Sequence, residues 1–430
     1  MNDDKRTHGL WEASAPPAPA TDRLEQDIEV DVAVVGGGFT GTSTALHLAQ
    51  AGYSVCVLEE HEIGFGGSGR NVGLVNAGMW VQPKAVLEQL GDRYGNRLLD
   101  VLGNGPDYVY SLIDKYRMDC QPVHNGTLHC AVGESGLAEI RERARQWQAL
   151  GAPVAVLSAE ETAARVGSHA YTGALLDRRA GTIQPLAYAR GLAAAALAEG
   201  AQIYTQSRVS ACEEKPDHYI VTLANGRKVR AAWVVVATNA YSSESGLWSM
   251  IREELVHLPY FNLATKPLTT EQRSRILPGL EGAWDTCEVL SSYRLDQQGR
   301  LIVGSVGALQ GAAADIHVNW AKRAVKKLFP QLGEVEFDYE WFGKIGMTGN
   351  SLPRLHQLGR NIIAFSGYNG RGISPGTVFG RELARLISGE SSMDDMPLPL
   401  EGVKKAPYRR SKELYYEMGA QLVHFAAARG

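Results

Sequence analysis

The first regular pattern in the chain is Ile28-Glu29-Val30-Asp31-Val32-Ala33-Val34-Val35, a β-branched run that predicts a strand and stops at Gly36-Gly37-Gly38. Thr40 to Ala51, rich in alanine, leucine and small residues, predicts a helix closed by Gly52. Ser54 to Leu58 is a second apolar strand, ended by Glu59-Glu60. This order of strand, glycine turn, helix and strand predicts a parallel βαβ unit with a right-handed crossover.

Helical patterns dominate from Lys84 to Tyr116, Thr127 to Val132 reads as a strand, and Leu137 to Leu150 as an amphipathic helix. Pro185 to Glu199 predicts an alanine-rich helix, followed by β-like runs at Gln202 to Val209, His218 to Leu223 and Trp233 to Ala237. Short strands and turns fill Val256 to Val306. Asn361 to Phe365 predicts a strand running through a glycine-rich turn into a helix over Gly376 to Ile387.

At 430 residues two domains are expected. A hydrophobic content of 44% and a charged content of 21% describe a globular chain. A net charge of -4 argues against a general nucleic-acid binder. The five cysteines show no CxxC and no metal-ligand spacing, so neither a disulfide framework nor a metal site is expected. No apolar run reaches transmembrane length and the N-terminus lacks a signal-type core, which suggests a cytoplasmic protein. A surface helix resting on a membrane is compatible with the same sequence.

Chemistry enters with Gly36-x-Gly38-x-x-Gly41. Its place between strand and helix, with Glu59 ending the next strand, is the context a dinucleotide site requires. Gly36 permits the turn, Gly38 lets the backbone approach a pyrophosphate, and Gly41 lets the helix pack on the strand. Phe39 and Thr40 open the helix whose N-terminus would hold the diphosphate, and Glu59 would accept from ribose hydroxyls. A second glycine-rich stretch, Gly64 to Gly73, follows directly. Gly67 and Gly73 leave room for a cofactor longer than NAD, while Ser68, Arg70 and Asn71 offer donors, so FAD is the expected cofactor.

These stretches, with Ala237-Thr238-Asn239-Ala240-Tyr241 and Gly367-Tyr368-Asn369-Gly370-Arg371-Gly372, resemble the D-amino-acid oxidase superfamily of FAD enzymes. Within it the chain looks most similar to the bacterial γ-glutamylputrescine oxidases and L-pipecolate oxidases. Gly69 to Gly78, Leu175 to Ile183 and Val289 to Arg294 look closest to the pipecolate branch.

The resemblance implies an α/β fold: a discontinuous Rossmann-like FAD-binding domain with an interleaved substrate domain on a mainly antiparallel sheet. The expected bounds are 28–82, 171–243 and 344–395 for the first domain, and 83–170 and 244–343 for the second. An N-terminal arm, 1–27, and a C-terminal segment, 396–430, flank them. Val209 is expected at the adenine and Thr238 where the chain returns to the cofactor. Gly367, Tyr368, Asn369, Gly370, Arg371, Gly372 and Ile373 are expected at the isoalloxazine, where a loop entering a helix offers N–H groups to the negative charge of reduced flavin.

The implied reaction is oxidation of the C–N bond of an amine or amino acid by hydride transfer to flavin, without a catalytic side-chain set. The expected substrate is a cyclic secondary imino acid such as L-pipecolate, giving an imine and hydrogen peroxide, with oxygen or a quinone as acceptor. γ-Glutamylputrescine oxidation and a non-catalytic flavin-binding role are the alternatives. A planar fork suits a carboxylate, so Arg294, beside Tyr293, is the expected clamp, with Trp80 and Met79 as an apolar wall. Lys266 and Lys344 are candidates for a cation near the flavin. The segment 341–351 has no cysteine, so FAD is expected without a covalent bond, His356 being the minor exception.

Overall fold

The computed structural model describes residues 8–427. Two eight-stranded sheets carry the fold. In the first, the Ile28–Val35 strand pairs in parallel with Val55–Leu58 on one side and Lys228–Val236 on the other, in the registers Val32↔Val55 and Val32↔Trp233. Gln202–Tyr204 extends one flank in parallel, and Ile362–Ser366 followed by antiparallel Arg354–Gly359 extends the other. The β-branched strands are buried on both faces, as a parallel sheet covered by helices requires. The Phe39–Gln50 helix packs on the Ile373–Ile387 and Pro185–Ala198 helices, and small residues at the contact permit this closeness. A Cβ on Gly41 would overlap the carbonyl oxygen of Gly36, and one on Gly380 would meet Ser43 at 2.6 Å.

The second sheet runs Phe337–Met347, Val256–Pro267, Arg300–Val306, Ser291–Leu295, Gly282–Asp285, Thr127–Ala131, Gly173–Asp177 and Val154–Leu157. All its pairs are antiparallel except Gly282–Asp285 with Thr127–Ala131. Two expected boundaries move as a result. Gly173–Asp177 belongs to this sheet and not to the nucleotide half, because its register partners are Thr127–Ala131 and Val154–Leu157. Phe337–Met347 continues past 343 for the same reason, pairing along Val256–Thr265.

Two other expectations change. The run from Gln202 to Val209 is not one strand: Gln206 adopts φ 52°, and the chain breaks into Gln202–Tyr204 and Val209–Glu214. The helical region after Lys84 divides at Asn104 into Pro83–Gly103 and Gly105–Tyr116, with a kink at Gly91 (φ 70°). The N-terminal arm is anchored, with Leu10 and Trp11 buried and the Trp11 indole donating to Asn71 O at 2.8 Å. At the other end, the helix Arg409–Ala426 docks on the Gly311–Leu328 helix and the Val256–Pro267 strand.

Candidate functional site

One cavity of about 960 Å³ runs between the two sheets. At one end stand Glu59, His61, Arg208, Val209 and Ala224; at the other, Trp80, Tyr260, Trp284, Leu290 and Ser292. The first strand delivers Gly36 at φ 109°, and a Cβ there would lie 3.0 Å from Ala237 O. Gly37 donates its N–H to Glu59 Oε2 at 2.7 Å, and His61 N donates to Oε1 at 2.8 Å. Burial raises the Glu59 carboxyl above its ordinary pKa, with Glu60 and Glu62 adding to the shift and the two backbone donors opposing it.

The helix starting at Phe39 has no side-chain cap from Gly38; Ser68 Oγ accepts the Phe39 N–H at 3.0 Å. The Ile373–Ile387 helix starts equally uncapped at Gly372. Two helix N-termini with unfilled donors thus meet one cavity, an arrangement that attracts anions. The loops are tied together by Tyr368 Oη and Thr40 Oγ1 at 2.7 Å. Asn239 Oδ1 accepts Gly367 N at 2.9 Å, and Asn369 Oδ1 accepts Thr348 N at 2.8 Å.

The cavity wall includes Gly36, Gly38, Phe39, Thr40, Glu59, Gly67, Ser68, Arg70, Asn71, Trp80, Val209, Thr238, Tyr368, Asn369, Gly370, Gly372 and Ile373. Arg70 holds its loop by donating Nε to Phe65 O at 2.8 Å, and Asn71 bonds the carbonyls of Gly67 and Ser68. Other expected residues do not line it. Gly41 packs helix on strand. Gly73 (φ 84°) and Gly367 (φ 75°) make turns behind the wall.

Arg294 is corrected most sharply. It is 1% exposed, and its Nη1 donates to Ile183 O at 2.5 Å and Gly73 O at 3.1 Å. Its Nη1 is thus engaged by backbone carbonyls of a chain crossing, and the side chain does not line the cavity. Tyr293 is buried against Phe329 in the second core, and Met79 is buried in the first. Lys266 is exposed and paired with Glu336, whereas Lys344 lines the cavity. His356 is buried against Glu254 at 2.7 Å, away from the wall.

Arg371 is not on the wall but directly behind it. Its guanidinium sits 4.8 Å from the Trp80 ring centroid and 5.6 Å from that of Trp284, with Nη1 donating to Ala77 O at 2.8 Å. Trp284 and Tyr260 escaped sequence reading because the strands bearing them carry no motif; only folding brings them opposite Trp80.

The chemistry of the wall fits FAD. A glycine cradle and two helix N-termini suit a diphosphate, Glu59 a ribose, and the loop Tyr368–Ile373 the pyrimidine edge of a flavin. No cysteine is on the cavity wall among the described residues.

Comparisons with known proteins agree. A profile described as "FAD dependent oxidoreductase" matches residues 31–386. The chain is 34% identical to gamma-glutamylputrescine oxidoreductase of Escherichia coli K12, over 97% of this chain and 99% of that one. The fold is similar to glycine oxidase from Geobacillus kaustophilus, with a TM-score of 0.69 and 20% identity over 85% of this chain and 96% of that one. It is also similar to L-proline dehydrogenase from P. horikoshii, with a TM-score of 0.68 and 18% identity over 86% and 95%. The chain belongs to the FAD-dependent oxidoreductase family typified by D-amino-acid oxidase, and is an FAD-dependent amine or amino-acid oxidoreductase.

Proposed function

We propose that this enzyme oxidises the C–N bond of a carboxylate-bearing secondary amine, a cyclic imino acid such as L-pipecolate, to the imine. The observation that carries this reading is the buried Arg371 guanidinium, 8% exposed, with its Nε unpartnered. Burial and then the neighbouring Arg143 charge lower its pKa to about 9. Behind the same tryptophans, His129 stacks on Trp284 at 5.2 Å, and His129 Nδ1, Arg143 Nε and Trp284 Nε1 are also buried without partners. Asp177, itself paired with Arg179 at 2.7 Å, acts on Arg371 only through space. A buried guanidinium without a hydrogen-bonded counter-ion is costly, and a substrate carboxylate at the Trp80–Trp284 end of the cavity would supply further opposite charge.

FAD held by the Gly36–Gly38 turn, Glu59 and the loop Tyr368–Ile373 would supply the hydride acceptor for the carbon that carries the nitrogen, with oxygen or a quinone as the final electron acceptor. The residues here do the rest. Trp80, Trp284, Leu290 and Val306 exclude water, and the Tyr260–Ser292 hydroxyl pair, at 2.8 Å, orients polar substrate atoms. The acidic residues on the wall, Glu59 and Glu60, belong to the adenosine end. An amine beside Arg371 and away from these carboxylates is biased toward its neutral form, the form that releases hydride.

A second reading, γ-glutamylputrescine as substrate, is favoured by the Escherichia coli relative. Steady-state kcat/KM for the two compounds separates them. The imino-acid reading expects L-pipecolate to be preferred; preference for γ-glutamylputrescine overturns it.

A further inference from the structure

The helix Arg409–Ala426 has its apolar stripe on the wrong side for a helix that serves only to pack. Its docked face is formed by Glu413, Ala420 and His424. Glu413 Oε1 accepts from Arg252 Nη2 at 2.7 Å and His257 N at 2.9 Å, Ala420 is 2% exposed, and His424 meets His317 at 2.7 Å. At 100° per residue, Leu414, Tyr415, Met418, Leu422 and Phe425 fall within an arc of about 100° centred opposite that face. They are 57%, 68%, 52%, 67% and 51% exposed. A surface helix ordinarily presents polar side chains there.

The charge pattern says what covers the stripe. Residues 403–412, Val-Lys-Lys-Ala-Pro-Tyr-Arg-Arg-Ser-Lys, carry five basic side chains and no acidic one, in a protein of net charge -4. Three of the five, Arg409, Arg410 and Lys412, lie in the first turn, where the helix dipole prefers anions. Some of this charge is answered within the fold: Arg409 pairs with Glu244 and Glu413, Lys404 with Glu401 and Lys405 with Glu253. An outward apolar stripe beside a basic cluster matches a bilayer surface with anionic headgroups, apolar side chains among the acyl chains and cations among the phosphates. Arg410 and Lys412 form no ion pair among the described residues and, at 100° per residue, lie to either side of the stripe, where anionic headgroups would answer them. No helix among the described residues is long and apolar enough to cross a membrane.

We propose that this helix rests in the plane of an anionic membrane surface and holds the enzyme there peripherally. The test is co-sedimentation of the holoenzyme with phosphatidylglycerol-containing vesicles and with pure phosphatidylcholine vesicles. Binding to the first, weakened by salt, is expected. A Met418→Glu/Leu422→Glu variant, altered only at exposed positions, should lose at least about tenfold in vesicle affinity while keeping its turnover of soluble substrate. Absence of sedimentation with either vesicle overturns the proposal. So does a wild-type dimer in free solution that the variant reduces to monomer while vesicle binding is absent, which assigns the stripe to a second copy. Equal binding of wild type and variant overturns it as well.

Discussion

Replacing Arg371 with methionine should move stability and activity in opposite directions. In the folded enzyme without substrate the guanidinium is buried and forms no ion pair among the described residues, Asp177 acting on it only through space. Its gains are one hydrogen bond to Ala77 O and two tryptophan faces at 4.8 and 5.6 Å. Those are worth about 1.5–3 kcal/mol for the charge-assisted bond and about 0.5–2 kcal/mol for the cation–π contacts. The desolvation of a buried ion costs several kcal/mol, so an apolar side chain of similar length is expected to be neutral or stabilising. With substrate bound, the same change removes a charge-assisted pair in a desolvated site, about 2–5 kcal/mol, or roughly 30-fold to several-thousand-fold in kcat/KM. Thermal unfolding of the FAD-loaded variant and steady-state kinetics read both quantities. The loss should shrink for an amine without a carboxylate. A lowered melting temperature with unchanged kcat/KM would make Arg371 a purely structural residue.

Other outcomes follow from the same geometry. Arg294→Met should reduce stability by leaving the carbonyls of Gly73 and Ile183 unpaired, with KM nearly unchanged in the protein that folds; a KM effect as large as that at Arg371 would return Arg294 to the site. Gly38→Val should abolish FAD retention, because a Cβ there would lie 2.8 Å from Ser68 Oγ and its methyls would enter the cavity; full flavin content in the variant contradicts this. Acid precipitation should leave the yellow colour in the supernatant, and flavin fluorescence on the denatured polypeptide would contradict non-covalent binding. Burial lowers His317 to about 4, and burial with the His317 and Arg323 charges lowers His424 to about 3. Between pH 6.5 and 4 the unfolded chain therefore binds protons that the folded pair refuses, and stability falls as pH falls. His424→Gln should flatten that part of the stability profile; an unchanged slope removes the pair as its cause.

How much could be read in the sequence depended on whether a residue's role was local. The place of Gly36, Gly38, Glu59, Tyr368, Asn369, Gly370, Gly372 and Ile373 on one cavity wall was legible because turn, helix N-terminus and acidic strand end are properties of short segments. The parallel order of the first sheet followed from the βαβ unit. Arg294 misled because a strand arginine beside a tyrosine looks the same whether it faces a substrate or a backbone crossing. Its partners, Gly73 and Ile183, lie more than 100 residues away. Arg371 was assigned to the flavin because its loop is, yet its side chain turns back between Trp80 and Trp284, contributed by distant segments. The 171 boundary failed similarly, since Gly173–Asp177 carries no mark of which sheet will take it.

FAD bound in this cavity should oxidise a carboxylate-bearing secondary amine. Anaerobic mixing of the purified FAD-loaded protein with L-pipecolate tests it most directly, with sarcosine, proline and γ-glutamylputrescine alongside. Rapid bleaching of the flavin absorbance by L-pipecolate is expected, slowed severely in Arg371→Met. Flavin that stays oxidised with L-pipecolate, proline and sarcosine, whether or not γ-glutamylputrescine bleaches it, or that the variant reduces as fast as the wild type, would contradict it.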